Sequence, residues 1–231
     1  MTLVEAVVAT GPIPPDSANQ AEKKRYSEVL SSHLAKAVAS GLRDIGFPNV
    51  KPDVDGVGEK TFQGGLGPKR VDVSYSDDQN GLLLAVSIKT INFPPFGKNL
   101  KNRFGDLLTE SITLHLRFPY SVVCMLFAFP VRSNEDVTKG RKVSTFQRAR
   151  KLFATVTGRL DYTQPGEKFE DVTLMLFEPH LGDDSIPKIE LFDAATNKSL
   201  TESEFFQKLK EIYNVRNPHA LIGEEDLEDL G

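Results

Sequence analysis

Residues 69–93 contain the feature that most constrains the fold, an alternating segment and an apolar segment joined by a turn. In the first arm, 69–75, valines alternate with polar residues, as in a strand with one buried face. The second arm, 82–93, is richer in apolar residues, as expected of a central strand buried on both faces. Asn80-Gly81 lies between the arms and favours a tight hairpin, because both residues tolerate positive φ. We therefore predict two adjacent antiparallel strands.

Two charged residues of this predicted hairpin, Asp72 and Lys89, lie among apolar neighbours. Buried charges require partners, and these two side chains would meet if they face the same way on adjacent strands. A carboxylate and a lysine placed in this way can hold a divalent metal and the water that it activates. The residues leave open a simpler alternative, an ion pair between strands whose lysine extends to the surface.

Composition is that of an ordinary globular protein. A chain of 231 residues can bury a sizeable core and most simply forms one domain. The longest apolar run, 120–130, has the length of a strand, and the N-terminus lacks a secretory pattern, so we expect a cytoplasmic protein without membrane association. The single cysteine, Cys124, lies in that run and is expected in the core. The four histidines lack the spacing of metal ligands, which argues against zinc, haem or iron–sulfur sites.

Charge is distributed unevenly along the chain, whose formal net charge is −4. The segment 224–231 carries five acidic residues, so the rest of the chain has a net charge of about +1. Two basic groups are candidates for phosphate contacts, and a solvated helix face is the alternative for each. They are Lys98, Lys101 and Arg103, followed by Lys139, Arg141, Lys142, Arg148, Arg150 and Lys151.

The remaining elements follow from hydrophobic spacing. Apolar residues three and four apart predict helices at 21–45, 99–116, 145–156 and 201–213. Apolar runs predict further strands at 120–129, 172–177 and 189–192. Residues 1–17 are interpreted as a loose arm and residues 50–68 as a loop. This order of elements predicts an α/β protein with a mixed central sheet flanked by helices.

Three acidic residues of the predicted helices could face the hairpin. Glu28 lies on the first helix, while Asp106 and Glu110 share a face of the second helix with Arg103. A solvated acid is the ordinary interpretation of Glu28, and a surface ion-pair ladder is that of the other two. An acidic face turned toward Asp72 is the functional alternative.

The order of elements, with Asp72 on one strand and Ser87-Ile88-Lys89 on the next, resembles the PD-(D/E)xK nuclease superfamily. That superfamily includes type II restriction endonucleases and Holliday-junction resolvases. The resemblance covers about the first 130 residues and implies a restriction-endonuclease-like fold.

The resemblance also indicates how a single domain of residues 1–231 is divided. After the arm, residues 18–130 would form a nuclease-like core. Residues 131–222 would complete the same domain and carry the longer basic segment. An acidic, mobile tail would occupy residues 223–231.

Three residues acquire roles from the resemblance. Asp72 would bind Mg²⁺, and the backbone carbonyl of Ile88 would be a second ligand. Lys89 would orient or activate the attacking water. Hard oxygen ligands suit Mg²⁺, which keeps several waters and contacts few carboxylates, and we expect Mn²⁺ to substitute for it.

Ser87 departs from the pattern, because it occupies the position where the superfamily usually has a second acid. A hydroxyl is a poor replacement for a carboxylate ligand. Some members carry serine there and take the acid from a helix, which makes Glu28, Glu110 and Asp106 the candidates. Of these we favour Glu28. If no helical acid reaches Asp72, the fold would bind nucleic acid without cleaving it.

The resemblance implies a Mg²⁺-dependent endonuclease of the restriction type that acts on double-stranded DNA, with the basic residues on its phosphates. Cleavage of both strands favours a homodimer, which provides two sites. One alternative is a catalytically inactive nuclease-fold protein that binds nucleic acid or serves in an assembly. The other is an unrelated α/β scaffold in which Lys89 is only an ion-pair partner.

Overall fold

The computed structural model describes residues 1–55 and 58–223, and these contain five α-helices and eight strands. The helices are α1 (Leu3–Thr10), α2 (Gln20–Asp44), α3 (Phe96–Arg117), α4 (Thr145–Phe153) and α5 (Glu202–Arg216). The strands are β1 (Lys60–Gly64), β2 (Gly67–Val71), β3 (Val73–Asp77), β4 (Gly81–Thr90), β5 (Val122–Pro130), β6 (Asp171–Phe177), β7 (Ile189–Asp193) and β8 (Ser199–Leu200). A 3₁₀ turn, Val131–Asn134, follows β5.

The main sheet of the described chain has six strands in the order β3-β4-β5-β6-β7-β8. Strands β4, β5 and β6 are parallel, and the outer strands are antiparallel to their neighbours. Helices cover both faces, so the predicted class, a mixed α/β sheet flanked by helices, is confirmed. The predicted hairpin is present as β3 and β4, with Val73 opposite Val86 and Gly81 at positive φ.

Two apolar cores lie on opposite faces of the sheet. Helices α1, α2 and α5 contribute to one core, together with Val86 and Leu126 of the central strands. Helices α3 and α4 contribute to the other, together with Ala85 and Phe127. Because side chains alternate along a strand, Ser87 and the lysine two positions later extend from the same face as Ala85, toward α3. Full burial of a large apolar side chain stabilises the fold by about 2 kcal/mol, so these cores hold the strand rigidly beneath α3.

The first predicted arm, 69–75, is two strands instead of one. Residues 67–71 form β2, which pairs with β1 in a separate two-stranded sheet, and β3 belongs to the main sheet. The chain bends at Asp72 between them. The predicted loop at 50–68 was wrong in its last part, because β1 lies there. Its Phe62 packs into the α3 core, an anchor that a glycine-rich segment conceals.

The N-terminal segment, predicted as a loose arm, contains helix α1. A capping box between Thr2 and Glu5 begins the helix, and Leu3, Ala6 and Val7 are fully buried against α2. Eight residues are too few for a clear helical pattern, which is why the sequence did not predict the helix.

Cys124 is buried in the core, as predicted. Of the predicted acidic tail, only Gly223 belongs to the described residues, and 224–231 lie outside them. Within the described ranges, no helix is both long enough and apolar enough to cross a membrane.

Candidate active site

The candidate site lies at the floor of a cleft of about 1270 Å³ between the first half of α2 and the first half of α3. The end of β4 and the segment after it form the floor. Residues that line the cleft include Ser27, Glu28 and Ser31 of α2, Asp72, Ile88, Lys89 and Asn92 at the floor, and Asn99, Arg103 and Asp106 of α3. The cleft is therefore predominantly polar and open to a hydrophilic ligand.

Asp72 occupies the bend between β2 and β3, where the chain leaves one sheet for the other. Its Oδ2 accepts a hydrogen bond from the backbone N–H of Ile88 at 2.7 Å and lies 3.2 Å from Nζ of Lys89. The backbone hydrogen bond fixes the carboxylate beside β4. The predicted contact between Asp72 and Lys89 therefore occurs, but Asp72 lies at the bend before β3 and not within a strand.

Lys89 bridges two carboxylates. Its Nζ contacts Asp72 at 3.2 Å and Oε2 of Glu110 at 3.4 Å, and its side chain is only 20% exposed. Burial alone would lower the pKa of Lys89, but the two carboxylates outweigh burial and raise that pKa. Lys89 is therefore a cation at neutral pH.

Glu110 projects from α3 beneath the cleft floor, with 1% of its side chain exposed. Its Oε2 lies 2.7 Å from Nζ of Lys69, and its Oε1 accepts a hydrogen bond from the Ser87 hydroxyl. Burial would raise the pKa of Glu110, but the two lysines and the serine hydroxyl together lower it. Glu110 is therefore an ionised carboxylate in a nearly dry environment. The Ser87 hydroxyl orients this helical acid.

The other two helical acids are placed differently. Glu28, which we favoured from the sequence, lines the cleft wall with 65% of its side chain exposed and pairs with Lys24 at 3.6 Å. Asp106 pairs with Arg103 one turn away at 3.4 Å, also in the exposed wall. Among the described contacts, neither acid bonds to Asp72 or Lys89. The acid that the structure brings to the lysine is Glu110.

Three of the candidate phosphate-binding residues, Lys98, Lys101 and Arg103, are exposed at the start of α3. Arg148 lies beside that helix start, because a Cβ added to Gly97 would be 3.1 Å from its guanidinium. Arg141 is committed to the protein, since it pairs with Asp136 at 2.8 Å, and Arg150 donates to Asn197 at 2.8 Å. The exposed members of the two groups are Lys98, Lys101, Arg103, Lys139, Lys142, Arg148 and Lys151.

The donor set at the cleft floor fits Mg²⁺ better than a softer metal. Among the described residues, no group of three or more His, Cys, Asp or Glu side chains is arranged to hold a metal ion. Mg²⁺ requires only one or two carboxylates and keeps several waters. Asp72 and Glu110 could supply the carboxylates and Ile88 its backbone carbonyl, beside the Lys89 ammonium that contacts both acids.

Sequence reasoning missed Lys69. The residue belongs to the first predicted arm, but we assigned it no role in the site. Alternation along β2 places Lys69 on the same face as Val71, which is fully buried, while Arg70 points outward. The available signal was that Lys69 lies two positions before a buried valine. A lysine on a buried face requires an acidic partner.

No protein-family model matches the chain, and no curated protein and no solved structure matches it either. The interpretation of the site therefore depends on the geometry of its own residues.

Proposed function

We propose that this chain is a metal-dependent phosphodiester hydrolase. More specifically, we propose a Mg²⁺-dependent endonuclease of the PD-(D/E)xK type that cleaves double-stranded DNA. The observation that supports it most strongly is the convergence of Asp72 and Glu110 on the Nζ of Lys89, at 3.2 and 3.4 Å, at the floor of a polar cleft. A buried arrangement of two acids and a lysine on the floor of a cleft is typical of catalytic sites.

Each residue has a defined task in this proposal. Bound Mg²⁺ would supply a Lewis acid for the scissile phosphate and lower the pKa of its water. Asp72 and Glu110 would hold the cation, and the N–H of Ile88 keeps Asp72 in place. Lys89 is positively charged, so it orients the attacking water or a phosphate oxygen as a hydrogen-bond donor. Ser87 fixes Glu110 through its hydroxyl.

The substrate assignment follows from charge. The exposed basic residues at the start of α3, of which Arg103 lines the cleft, and Arg148 beside them would contact the backbone phosphates of a duplex. Contacts of this kind position the substrate without reading its sequence. Cleavage of both strands would require two sites, as a homodimer provides.

The test is cleavage of supercoiled plasmid DNA in Mg²⁺ by the wild-type chain and by two variants, Asp72→Asn and Glu110→Gln. Each substitution removes a ligand charge, and we expect the cleavage rate to fall at least about a hundredfold. Two controls remove an equivalent charge from the exposed cleft wall. Asp106→Asn and Glu28→Gln are expected to remain within about threefold of wild type.

Equal cleavage by all five proteins would rule out this mechanism. Loss of cleavage in Glu28→Gln together with normal cleavage by Glu110→Gln would reverse the assignment of the helical acid. Both results are read from the same gel.

A second candidate function is binding without hydrolysis. The observation that favours it is that Lys69 and Lys89 already neutralise Glu110 and Asp72. An inactive nuclease-fold protein would bind DNA with strong salt dependence and leave the plasmid intact at every metal concentration.

A further inference from the structure

Glu110 holds two ammonium groups on one oxygen. Its Oε2 lies 2.7 Å from Nζ of Lys69 and 3.4 Å from Nζ of Lys89. Its other oxygen accepts the hydroxyl of Ser87. The carboxylate is thus fully engaged by the protein itself, on both of its oxygens.

The charges at the cleft floor already balance. Asp72 and Glu110 supply two negative charges, and Lys69 and Lys89 supply two positive ones. A dication that enters this group adds two positive charges beside two ammonium ions, which oppose it. A dication bound at Glu110 would therefore take the place of one of the two ammonium contacts.

We propose that Lys69 is a resident cation that holds Glu110 in the absence of metal and competes with the metal for the same oxygen. This inference depends on the proposed function, because it concerns metal binding at that site. Lys69 acts as a regulator of metal occupancy and sets the concentration at which the site fills.

Exposure distinguishes the two lysines. The side chain of Lys69 is 31% exposed, so its ammonium can turn into solvent while the stem stays on β2. Lys89 is held between two acids and is less exposed. Although its contact with Glu110, at 2.7 Å, is shorter than that of Lys89, at 3.4 Å, Lys69 is the cation with access to solvent.

Lys69 is not required to hold the β1–β2 sheet against α3. The N–H of Gly65 donates to the carbonyl of Thr113 on α3 at 2.8 Å, and Phe62 is buried in the α3 core. Loss of the lysine ammonium leaves both of these contacts intact. An effect on metal binding can thus be separated from an effect on the fold.

The experiment is calorimetric titration of Ca²⁺ into the protein without DNA, which measures metal binding and involves no cleavage. Lys69→Met removes the competing charge and keeps most of the apolar stem. We expect the dissociation constant for Ca²⁺ to fall at least about tenfold. Lys69→Gln repeats the measurement with a polar side chain, in case the methionine variant does not fold.

Lys60→Met is the matched control. Lys60 also belongs to the β1–β2 sheet, but its ammonium contacts Ser76 at 2.8 Å. The control makes the same change in net charge at a lysine that pairs with a serine instead of with Glu110. We expect its Ca²⁺ affinity to stay within about twofold of wild type.

The outcomes separate the inference from the proposed function. If wild type binds Ca²⁺ and Asp72→Asn does not, the metal site is supported. Unchanged or weaker Ca²⁺ binding by both Lys69 variants would then overturn the inference about Lys69 alone. Absence of Ca²⁺ binding to every protein would overturn the metal site and the inference with it. A gain in affinity that disappears when Glu110→Gln is added to Lys69→Met would support the inference.

Discussion

Some buried carboxylates in this chain are kept ionised by several partners each. Glu110 is one such residue, and Glu170 is another, near the C-terminal end of α3 and the start of β5. Glu170 contacts Arg159 at 2.7 Å, Arg216 at 3.1 Å and His115 at 3.2 Å, and it accepts the N–H of Val123 at 2.8 Å. These contacts join α3, α5 and the loop before β6. The role of Glu170 is therefore structural and not catalytic.

Glu170→Gln is expected to destabilise the protein, because it leaves two buried guanidinium groups without their counter-charge. The loss of unfolding free energy should be about 3–5 kcal/mol. Chemical denaturation followed by circular dichroism measures it. A loss below about 1 kcal/mol would show that Glu170 is dispensable.

Acidification provides a second readout at Glu170. Burial would raise the pKa of Glu170, but His115, Val123 and Arg159 together lower it below the ordinary value of 4.5. A lowered pKa contributes stability above pH 4.5 that is lost as the pH falls through the folded-state pKa. The melting temperature of wild type should therefore fall more steeply below pH 4.5 than that of Glu170→Gln. The same dependence of melting temperature on pH in both proteins would contradict the lowered pKa of Glu170.

At the scale of elements, the close approach of the β1–β2 sheet to α3 brings Lys69 to Glu110. Gly64 permits this approach, since a Cβ there would lie 2.4 Å from the Thr113 side chain and 2.9 Å from its carbonyl oxygen. The backbone oxygen cannot move without displacing α3. The close contact between β1 and α3 therefore requires a residue without a Cβ at position 64.

Gly64→Ala is expected to reduce stability by about 1–3 kcal/mol, because the added methyl group forces the two elements apart. Gly105→Ala is the control on α3. Nothing lies within 4 Å of its added Cβ, so the better helix propensity of alanine should increase stability by about 0.5–1 kcal/mol. Urea unfolding compares the two variants, and a neutral Gly64→Ala would contradict the close-contact account.

Elements with long apolar periodicity were predictable, and short or glycine-rich ones were not. The apolar stripe of α2 and the apolar run of β5 are evident from hydrophobic spacing in the sequence. Helix α1 and strand β1 are short, and each owes its stability to packing against a distant segment. Local sequence carries little of that information.

Only part of the site was predictable, because the rest depends on packing between distant segments. Asp72 immediately precedes β3, which pairs with β4 across a short turn, so local pairing determines that Asp72 meets Lys89. The choice between Glu28 and Glu110 depends on the packing of two helices on opposite faces of one sheet. Both acids have suitable helical positions, and only the three-dimensional structure shows which one lies beneath Lys89.

At the scale of the whole molecule, charge is concentrated where the longer basic segment meets the start of α3. Arg148 and Arg150 are two residues apart but are used differently. Arg148 is exposed beside Gly97, whereas Arg150 donates to Asn197 and lies 4.9 Å from the ring centre of Phe192. The pair therefore offers a matched test of the DNA-binding surface.

Arg148→Gln is expected to weaken duplex binding and to reduce the slope of log K against log salt by about one, as for one lost phosphate contact. Arg150→Gln makes the same charge change and should leave the slope within experimental error. Fluorescence anisotropy at several salt concentrations measures both. Equal slopes for the two variants would remove this surface from the proposed DNA contact.

The central claim is that Asp72 and Glu110 together bind a divalent cation at the floor of the cleft. The most direct measurement is an anomalous difference map from crystals of the full chain grown with Mn²⁺. We predict one peak between these two carboxylates, with the ammonium of Lys69 moved away from Glu110. A map without a peak in the cleft, with Lys89 still bridging both acids, would contradict the account.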